Sequence, residues 1–156
     1  MSPSPVHIAF IGGGNMASAI IGGLLRQGLQ PTQITVVEPF SETAAKLMQD
    51  YGITALPTAG STLAMADLVV WAVKPQVFLE AAIPVTPHTQ GALHLSVAAG
   101  IRTDSICRWT HSERVVRCMP NTPALIGQGI TGLFACPSVT SQDKSLVEQV
   151  IGTTGQ

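Results

Sequence analysis

The segment HIAFIGGGNMASAI, residues 7–20, places glycines where an apolar stretch gives way to helical spacing. Gly12, Gly14 and Ala17 match the pattern G-x-G-x-x-[GA], in which each position has its own physical role. The first glycine permits a tight turn, the second lets a ligand approach the backbone, and the small third residue lets a helix pack on a strand. Free N–H groups and the positive end of the helix dipole then favour phosphates, so the segment predicts a dinucleotide pyrophosphate site.

An acidic residue, Glu38, closes the next apolar stretch, ITVVE. A carboxylate at this place typically accepts hydrogen bonds from the adenosine ribose, which strengthens the dinucleotide interpretation. It also repels a 2′-phosphate, by roughly 1–3 kcal/mol at about 5 Å and an effective dielectric constant of about 20 or more, and so favours NADH. From these residues alone the alternative stays open: a tight turn made for steric reasons, plus a solvated glutamate.

Three further segments each follow or end an apolar stretch and combine small, basic or turn-forming residues: AVKPQ at 72–76, SVAAG at 96–100 and MPNTP at 119–123. Each has an ordinary explanation, because Lys74 beside a helix start is typical of a surface residue and Pro-Asn-Thr-Pro of a turn. In an open parallel sheet, however, ligands bind beyond the carboxyl ends of the strands. Three such loops at one edge therefore favour a cofactor cleft.

These loops require a sheet, and the chain alternates apolar stretches with segments of helical spacing. The apolar stretches are HIAFIG, ITVVE, DLVVWAV, LHLSVAAG and RVVRCMP. Their continuous apolarity is typical of strands covered on both faces, so we predict an α/β fold of the Rossmann type: a doubly wound, mainly parallel sheet with helices on both faces.

The predicted helices span residues 15–28, 41–51, 61–66, 75–82, 103–109 and 141–151. Gly28 is expected to end the first, Ser41 to cap the second and Pro75 to open the fourth. With no linker or internal repeat, residues 1–156 are expected to form one NAD(P)-binding domain. The final segment, LVEQVIGTTGQ, resembles the approach to a further strand, so we expect this domain to be truncated.

Composition and charge restrict the classes of partner that this chain is expected to bind. A net charge of −1 without a basic cluster disfavours nucleic acid as a partner, and the low charged fraction of 11% suggests that part of the surface is buried against a partner.

The three cysteines lack C-x-x-C spacing and are expected to be buried thiols in a reducing compartment. The four histidines form no H-x-x-x-H pair, so no metal is expected. Without a signal peptide or a long apolar run, we expect a cytoplasmic protein that does not bind membranes.

The stretches FIGGGNMASAIIGGLL, WAVKPQ, SVAAGI and RCMPNTPALIGQGITGLFA, in this order and at these distances, resemble the amino-terminal domain of pyrroline-5-carboxylate reductase. The resemblance covers nearly the whole chain, and MPNTPA is much more specific than the glycine turn. It implies NAD(P)H-dependent reduction of 1-pyrroline-5-carboxylate to L-proline, the last step of proline biosynthesis, with NADPH or NADH as cofactor.

The resemblance also implies the roles of particular residues. The pyrophosphate would lie over Ile11, Gly12, Gly13, Gly14, Asn15 and Met16, followed by Ala17. The adenosine and ribose side would be lined by Ala72, Val73, Lys74 and Pro75, together with Glu38. The nicotinamide would lie near Ala98, Ala99, Gly100, Asn121 and Thr122. A second, helical domain of the family holds the substrate and forms the homo-oligomer; we expect it to be absent here, and the isolated chain to be inactive.

One departure concerns Ala59, which stands where many family members have an asparagine on the adenosine side, so one hydrogen bond is lost or shifts to Thr58. No residue is assigned as a catalytic acid or base, since hydride delivery to an imine needs chiefly alignment and a desolvated pocket. Two alternatives remain: a dinucleotide-binding module without activity of its own, and a related two-domain reductase acting on a hydroxy acid or another imine.

Overall fold

The computed structural model describes residues 6–89, 91–97, 103–120, 130–135 and 139–151 of this chain. Within these residues, seven strands lie in one sheet: β1 (Ile8–Ile11), β2 (Ile34–Val37), β3 (Ala55–Leu56), β4 (Leu68–Trp71), β5 (Leu93–Ser96), β6 (Val115–Pro120) and β7 (Ile130–Ala135). The described part of the chain also contains five α-helices: α1 (Asn15–Arg26), α2 (Ser41–Tyr51), α3 (Phe78–Val85), α4 (Thr103–Thr110) and α5 (Ser141–Ile151).

The strand order is β3-β2-β1-β4-β5-β6-β7, in which the first six strands are parallel and β7 pairs antiparallel with β6. The order reverses direction between β1 and β4, so the connections from these two neighbours leave toward opposite sides. A crevice forms at such a point beyond the carboxyl ends of the strands. The predicted Rossmann-type, mainly parallel sheet is confirmed.

Alternate residues of each central strand point to opposite faces, and each face has its own core. Ile8 and Phe10 of β1 belong to a buried cluster with Ile21 of α1, Leu47 of α2 and Val147 of α5. The other residues of β1, Ala9 and Ile11, belong to a second cluster that includes Phe78 of α3 and Ile106 of α4. The sheet is therefore covered by helices on both faces, which explains why its strands are continuously apolar.

Most predicted elements are found, with differences at their ends. The helix predicted at 61–66 is a 3₁₀ helix, Ser61–Met65, and the one predicted at 75–82 begins as a 3₁₀ turn, Pro75–Val77, before α3. Gly28, with φ of +107°, follows the end of α1 as expected. The predicted cap of α2 is wrong: Phe40 occupies that position, and Ser41 is the first helical residue.

Two strands were not predicted. β3 has two residues, too few to show a period. β7 contains a glycine and follows a segment rich in turn residues, which hides its alternation. The expectation that the cysteine thiols are buried is wrong for Cys107, which is partly exposed.

A buried polar pair lies in the core behind the edge of the sheet. The Nε1–H of Trp71, the last residue of β4, donates to Nδ1 of His94 in β5 at 3.0 Å. Nε2 of His94 lies 3.3 Å from the carbonyl oxygen of Thr89, so the ring is neutral with its proton on Nε2. Both rings are fully buried, and the Trp71 ring stacks on Phe78 with centroids 4.6 Å apart.

Burial lowers the pKa of His94 to about 4 from an ordinary 6.5. The unfolded chain therefore binds a proton at this residue below the ordinary pKa, whereas the folded chain does not until the pH approaches the lowered value. The free energy of unfolding should fall by about 2 kcal/mol between about pH 7 and about pH 5 because of this residue.

We expect His94→Asn, which keeps an acceptor for the indole N–H, to be less stable at neutral pH but to lose most of this pH dependence. Urea unfolding at both pH values measures it, with His111→Asn, a change at an exposed histidine, as the matched control. An equally steep pH dependence in His94→Asn would contradict the neutral, buried state of His94.

Candidate functional site

The glycine turn lies at the point where the sheet reverses direction. It follows β1, and the segment Ala72–Lys74 follows the neighbouring strand β4 at the same edge. The N–H of Gly12 donates to the carbonyl oxygen of Val37 at 2.8 Å, and the N–H of Ala72 donates to that of Ile11 at 2.9 Å. The exits of β1, β2 and β4 are thus tied together by backbone hydrogen bonds.

Gly12 is required by the fold itself. Its φ is +97°, a conformation that residues with a Cβ rarely adopt. A Cβ at this position would also lie 2.6 Å from the backbone oxygen of Ala72, which is closer than real Cβ atoms approach. Only glycine therefore lets the turn lie against the exit of β4.

At Gly14, unlike at Gly12, the fold leaves room for a side chain. Its φ is −75°, which any residue adopts, and a Cβ here would meet no heavy atom within 4 Å. The fold does not require glycine at this position, but a ligand lying close to the backbone would. The space over Gly14 is therefore a surface that a side chain would fill and a pyrophosphate could occupy.

Gly14 is also the N-cap of α1, and no side chain caps this end. The first hydrogen bond of the helix runs from the N–H of Ser18 to the carbonyl oxygen of Gly14 at 2.9 Å. The N–H groups of residues 15–17 therefore have no acceptor within the helix, and the first turn contains no acidic residue. Backbone donors and the helix dipole together provide a setting for an anion.

Gly13 and Ala17 hold the turn and the helix in place. A Cβ on Gly13 would lie 2.6 Å from Cδ1 of Leu47, so the turn packs directly on α2. Ala17 is fully buried in the cluster of β1, as the small third residue of the pattern requires. The contact of Gly13 with Leu47 was not anticipated from the sequence, although the run of three glycines was its one visible sign.

Glu38 lies directly after β2, and its side chain is buried, with a relative exposure of 7%. Its Oε1 accepts a hydrogen bond from the N–H of Gly13 at 2.8 Å, and its Oε2 accepts one from the N–H of Phe40 at 3.0 Å. The alternative of a solvated glutamate is therefore wrong. The carboxylate lies beside the glycine turn, and each oxygen keeps a lone pair for a further donor.

The segment after β4 forms the other wall of the crevice. Ala72 and Val73 are half-buried, and Lys74 is exposed. The N–H of Val77 donates to the carbonyl oxygen of Lys74 at 3.0 Å, which closes the turn that Pro75 begins. A lysine at this place adds positive charge to the edge where phosphates are expected.

The remaining predicted residues, Ala98, Ala99, Gly100, Asn121 and Thr122, lie outside the described residues. The chain reaches the first group from Val97, whose N–H donates to the carbonyl oxygen of Trp71 at 3.1 Å. β5, which leads to that group, runs parallel to β4 and ends at the same edge.

Within the described part of the chain, no group of three or more His, Cys, Asp or Glu side chains could hold a metal ion. Among the same residues, no helix is long and apolar enough to cross a membrane.

Comparison with known proteins gives consistent matches. The family model described as "NADP oxidoreductase coenzyme F420-dependent" matches residues 7–100. Pyrroline-5-carboxylate reductase of Pseudomonas aeruginosa is 40% identical over 154 residues, which cover 97% of this chain and 56% of that protein. The chain spans about half the length of the curated relatives it matches.

Two solved structures extend the comparison. A pyrroline-5-carboxylate reductase from Coxiella burnetii, at 32% identity, superposes with a TM-score of 0.87 over 97% of this chain and 57% of that chain. The Plasmodium falciparum pyrroline carboxylate reductase with NADP bound, at 22% identity, gives 0.81 over 99% of this chain and 57% of that chain, a likeness that concerns the fold alone.

The two outer glycines of the pattern should respond differently to substitution. We expect Gly14→Val to keep the fold and abolish dinucleotide binding, because its side chain enters open space beside the helix start. We expect Gly12→Ala to destabilise the fold, because its Cβ would meet the backbone oxygen of Ala72 at φ of +97°.

Circular dichroism with thermal unfolding, and calorimetric titration with NADH, separate the two effects. Gly60→Ala is the control, since a Cβ there also meets nothing within 4 Å but lies before β4 rather than in the turn. Normal NADH affinity in a folded Gly14→Val variant would contradict a site over the turn.

Proposed function

This chain belongs to the NADP oxidoreductase family described as coenzyme F420-dependent, and we propose that it is the dinucleotide-binding half of a pyrroline-5-carboxylate reductase. The reaction would be reduction of 1-pyrroline-5-carboxylate to L-proline with NADPH or NADH, the last step of proline biosynthesis. Relatives named for this enzyme, at 36–40% identity over 96–97% of the chain, support the proposal.

One observation carries the binding part of the proposal. Within a single turn, Gly12 is a glycine that the fold needs, and Gly14 is a glycine that the fold does not need. A phosphate-bearing ligand lying on the backbone accounts for the second glycine. The pyrophosphate would lie over Ile11–Met16, with the N–H groups at the start of α1 as donors.

The strand order indicates where the two ends of the dinucleotide would lie. The adenosine ribose would approach Glu38, which retains free lone pairs, and Ala72–Pro75 would line the same side across the crevice. The nicotinamide would lie toward β5 and β6, near Ala98–Gly100 with Asn121 and Thr122. These assignments extend the geometry of the turn along the sheet edge.

When bound, the reduced nicotinamide supplies a hydride. This chain's own residues would bind and orient the dinucleotide: the α1 N–H groups hold the phosphates, Glu38 the ribose, and the β4 exit bounds the crevice. Positioning of this kind removes much of the entropic barrier to a reaction between two bound molecules. No residue of this chain is assigned as a catalytic acid or base in this proposal.

The wider setting is also proposed. Residues 1–156 would form a single NAD(P)-binding domain, and the substrate would be a small molecule held jointly with the remaining half of the enzyme. That half would also form a homo-oligomer. We propose a cytoplasmic protein without nucleic-acid or membrane partners, in agreement with its charge of −1 and the absence of a basic cluster in the sequence.

We expect this chain alone to bind NAD(P)H but to leave pyrroline-5-carboxylate unreduced, since the relatives it matches are almost twice its length. A chimera in which the remaining part of the Pseudomonas aeruginosa reductase follows this chain should reduce it. Loss of absorbance of the reduced nicotinamide measures turnover, and the Gly14→Val chimera is the inactive control.

Two outcomes would contradict this division of roles. Turnover by the short chain near the rate of the chimera would show that the second half is dispensable. No cofactor binding by a well-folded short chain would remove the binding function.

Cofactor preference gives a separate test. We expect Glu38→Ser to raise affinity for NADPH relative to NADH by about 5-fold to 150-fold, because it removes roughly 1–3 kcal/mol of repulsion toward the 2′-phosphate. The ratio of the two dissociation constants is the measured quantity. Glu42→Ser, at an exposed acidic residue of α2, is the matched control. An unchanged ratio would mean that Glu38 does not approach the ribose.

A further inference from the structure

We infer that Glu38 is a positioning residue that holds the phosphate-binding turn in shape, in addition to any contact it makes with the ribose. The inference rests on the proposed function and concerns how the turn is made ready for a ligand. The observation behind it is that the buried carboxylate already accepts hydrogen bonds from Gly13 and Phe40.

The carboxylate joins the starts of two helices. Gly13 immediately precedes Gly14, the N-cap of α1, and Phe40 is the N-cap of α2. Both helix ends carry partial positive charge, and hydrogen bonds from N–H groups to an ionised acceptor are roughly twice as strong as neutral ones. A buried negative charge is therefore stabilised here by backbone groups, and it fixes α1 and α2 relative to each other.

Glu38 is itself held firmly. Its N–H donates to the carbonyl oxygen of Leu56 in β3 at 2.8 Å, and its side chain is nearly inaccessible to solvent. The carboxylate that accepts from the Gly13 N–H is thus held in place by the sheet and by its own burial. The turn is bounded on this side by Glu38 and Leu47, and on the other by the β4 exit at Ala72.

The N–H of Gly13 belongs to the peptide bond that follows Gly12, at the centre of the turn. Because Glu38 takes this N–H, the plane of that peptide is set before any ligand arrives. The N–H groups from Gly14 onward are then left for phosphates. Without the carboxylate, the Gly13 N–H would need another acceptor, and a turn of three glycines has wide freedom to rotate. A preorganised turn binds more tightly because less ordering remains.

A ribose contact and a positioning role make different predictions for a ligand without adenosine. Reduced nicotinamide mononucleotide carries one phosphate and no adenosine ribose, so direct contact of Glu38 with that ribose cannot affect it. If Glu38 positions the turn, Glu38→Gln should weaken this ligand about 10-fold or more, since the amide cannot accept from both N–H groups. If Glu38 acts only on the adenosine side, affinity should stay the same or rise as a negative charge near the phosphate is removed.

The experiment titrates the 156-residue chain with reduced nicotinamide mononucleotide and, separately, with NADH, following fluorescence of the dihydronicotinamide ring. Glu42→Gln is the matched control, because it removes the same charge from an exposed position in the first turn of α2 and should stay within about 2-fold of wild type. If Glu38→Gln lacks the wild-type circular dichroism spectrum, Glu38→Asp, which keeps the charge but is one methylene shorter, is judged by the same criterion.

Unchanged or tighter binding of the mononucleotide, with NADH binding normal in wild type, overturns the inference alone. Failure of the folded wild-type chain to bind NADH overturns the proposed function and this inference with it. Weaker mononucleotide binding in Glu38→Gln, with Glu42→Gln unaffected, supports the positioning role.

Discussion

The close approach of the glycine turn to the exit of β4 is the constraint on which this site depends. At Gly12 the backbone adopts φ of +97° and passes so near the carbonyl oxygen of Ala72 that no side chain fits. Because β1 and β4 are neighbours whose connections leave in opposite directions, this approach occurs where the sheet opens a crevice. The start of α1 is thereby aimed into the crevice, and the proposed pyrophosphate site depends on that direction.

The sheet beneath the turn supports this edge by packing and by backbone hydrogen bonds. Both faces are covered by separate apolar clusters, and backbone hydrogen bonds continue beyond the strand ends at Gly12, Glu38, Ala72 and Val97. Behind the edge, Trp71 and His94 form a buried polar pair at the end of β4. Protonation of the imidazole would remove the acceptor for the indole N–H.

Far from the crevice, Arg114 forms two hydrogen bonds to Asp143, at 3.2 and 2.8 Å, and so ties the start of α5 to the segment before β6. The ion pair lowers the pKa of Asp143.

In the proposed site, Glu38 would link cofactor recognition to the architecture of the turn. A residue that only contacted a ribose could be exchanged freely to change cofactor preference. Here the carboxylate accepts backbone hydrogen bonds from Gly13 and Phe40, at the starts of α1 and α2, so in the proposed site its replacement would change both the charge near the ribose and the shape of the turn. A substitution at Glu38 that changes the preference for NADPH over NADH is therefore expected to change the absolute affinity for both cofactors as well. Comparing NADH with reduced nicotinamide mononucleotide separates these two effects.

The sequence by itself determined the features that depend on local order. Apolar stretches separated by helical spacing indicated a doubly wound α/β sheet, and Gly12, Gly14 and Ala17 located the turn, because a turn and its following helix involve neighbouring residues. Gly28 and Pro75 marked helix ends for the same reason. The two-residue β3 and the glycine-containing β7 were not predicted, since neither shows a clear alternation of apolar and polar residues.

Tertiary structure decided which distant groups meet. The hydrogen bond from Gly13 to Glu38 joins residues 25 apart, and the clash that reserves position 12 for glycine comes from Ala72 on another strand. The start of α2 was decided in the same way: Phe40, not Ser41, is the N-cap, and its N–H is satisfied by Glu38 rather than by a capping hydroxyl. Hydrogen-bond partners and forbidden contacts depend on separation in space, which for these pairs is set by strand order and register rather than by distance along the chain.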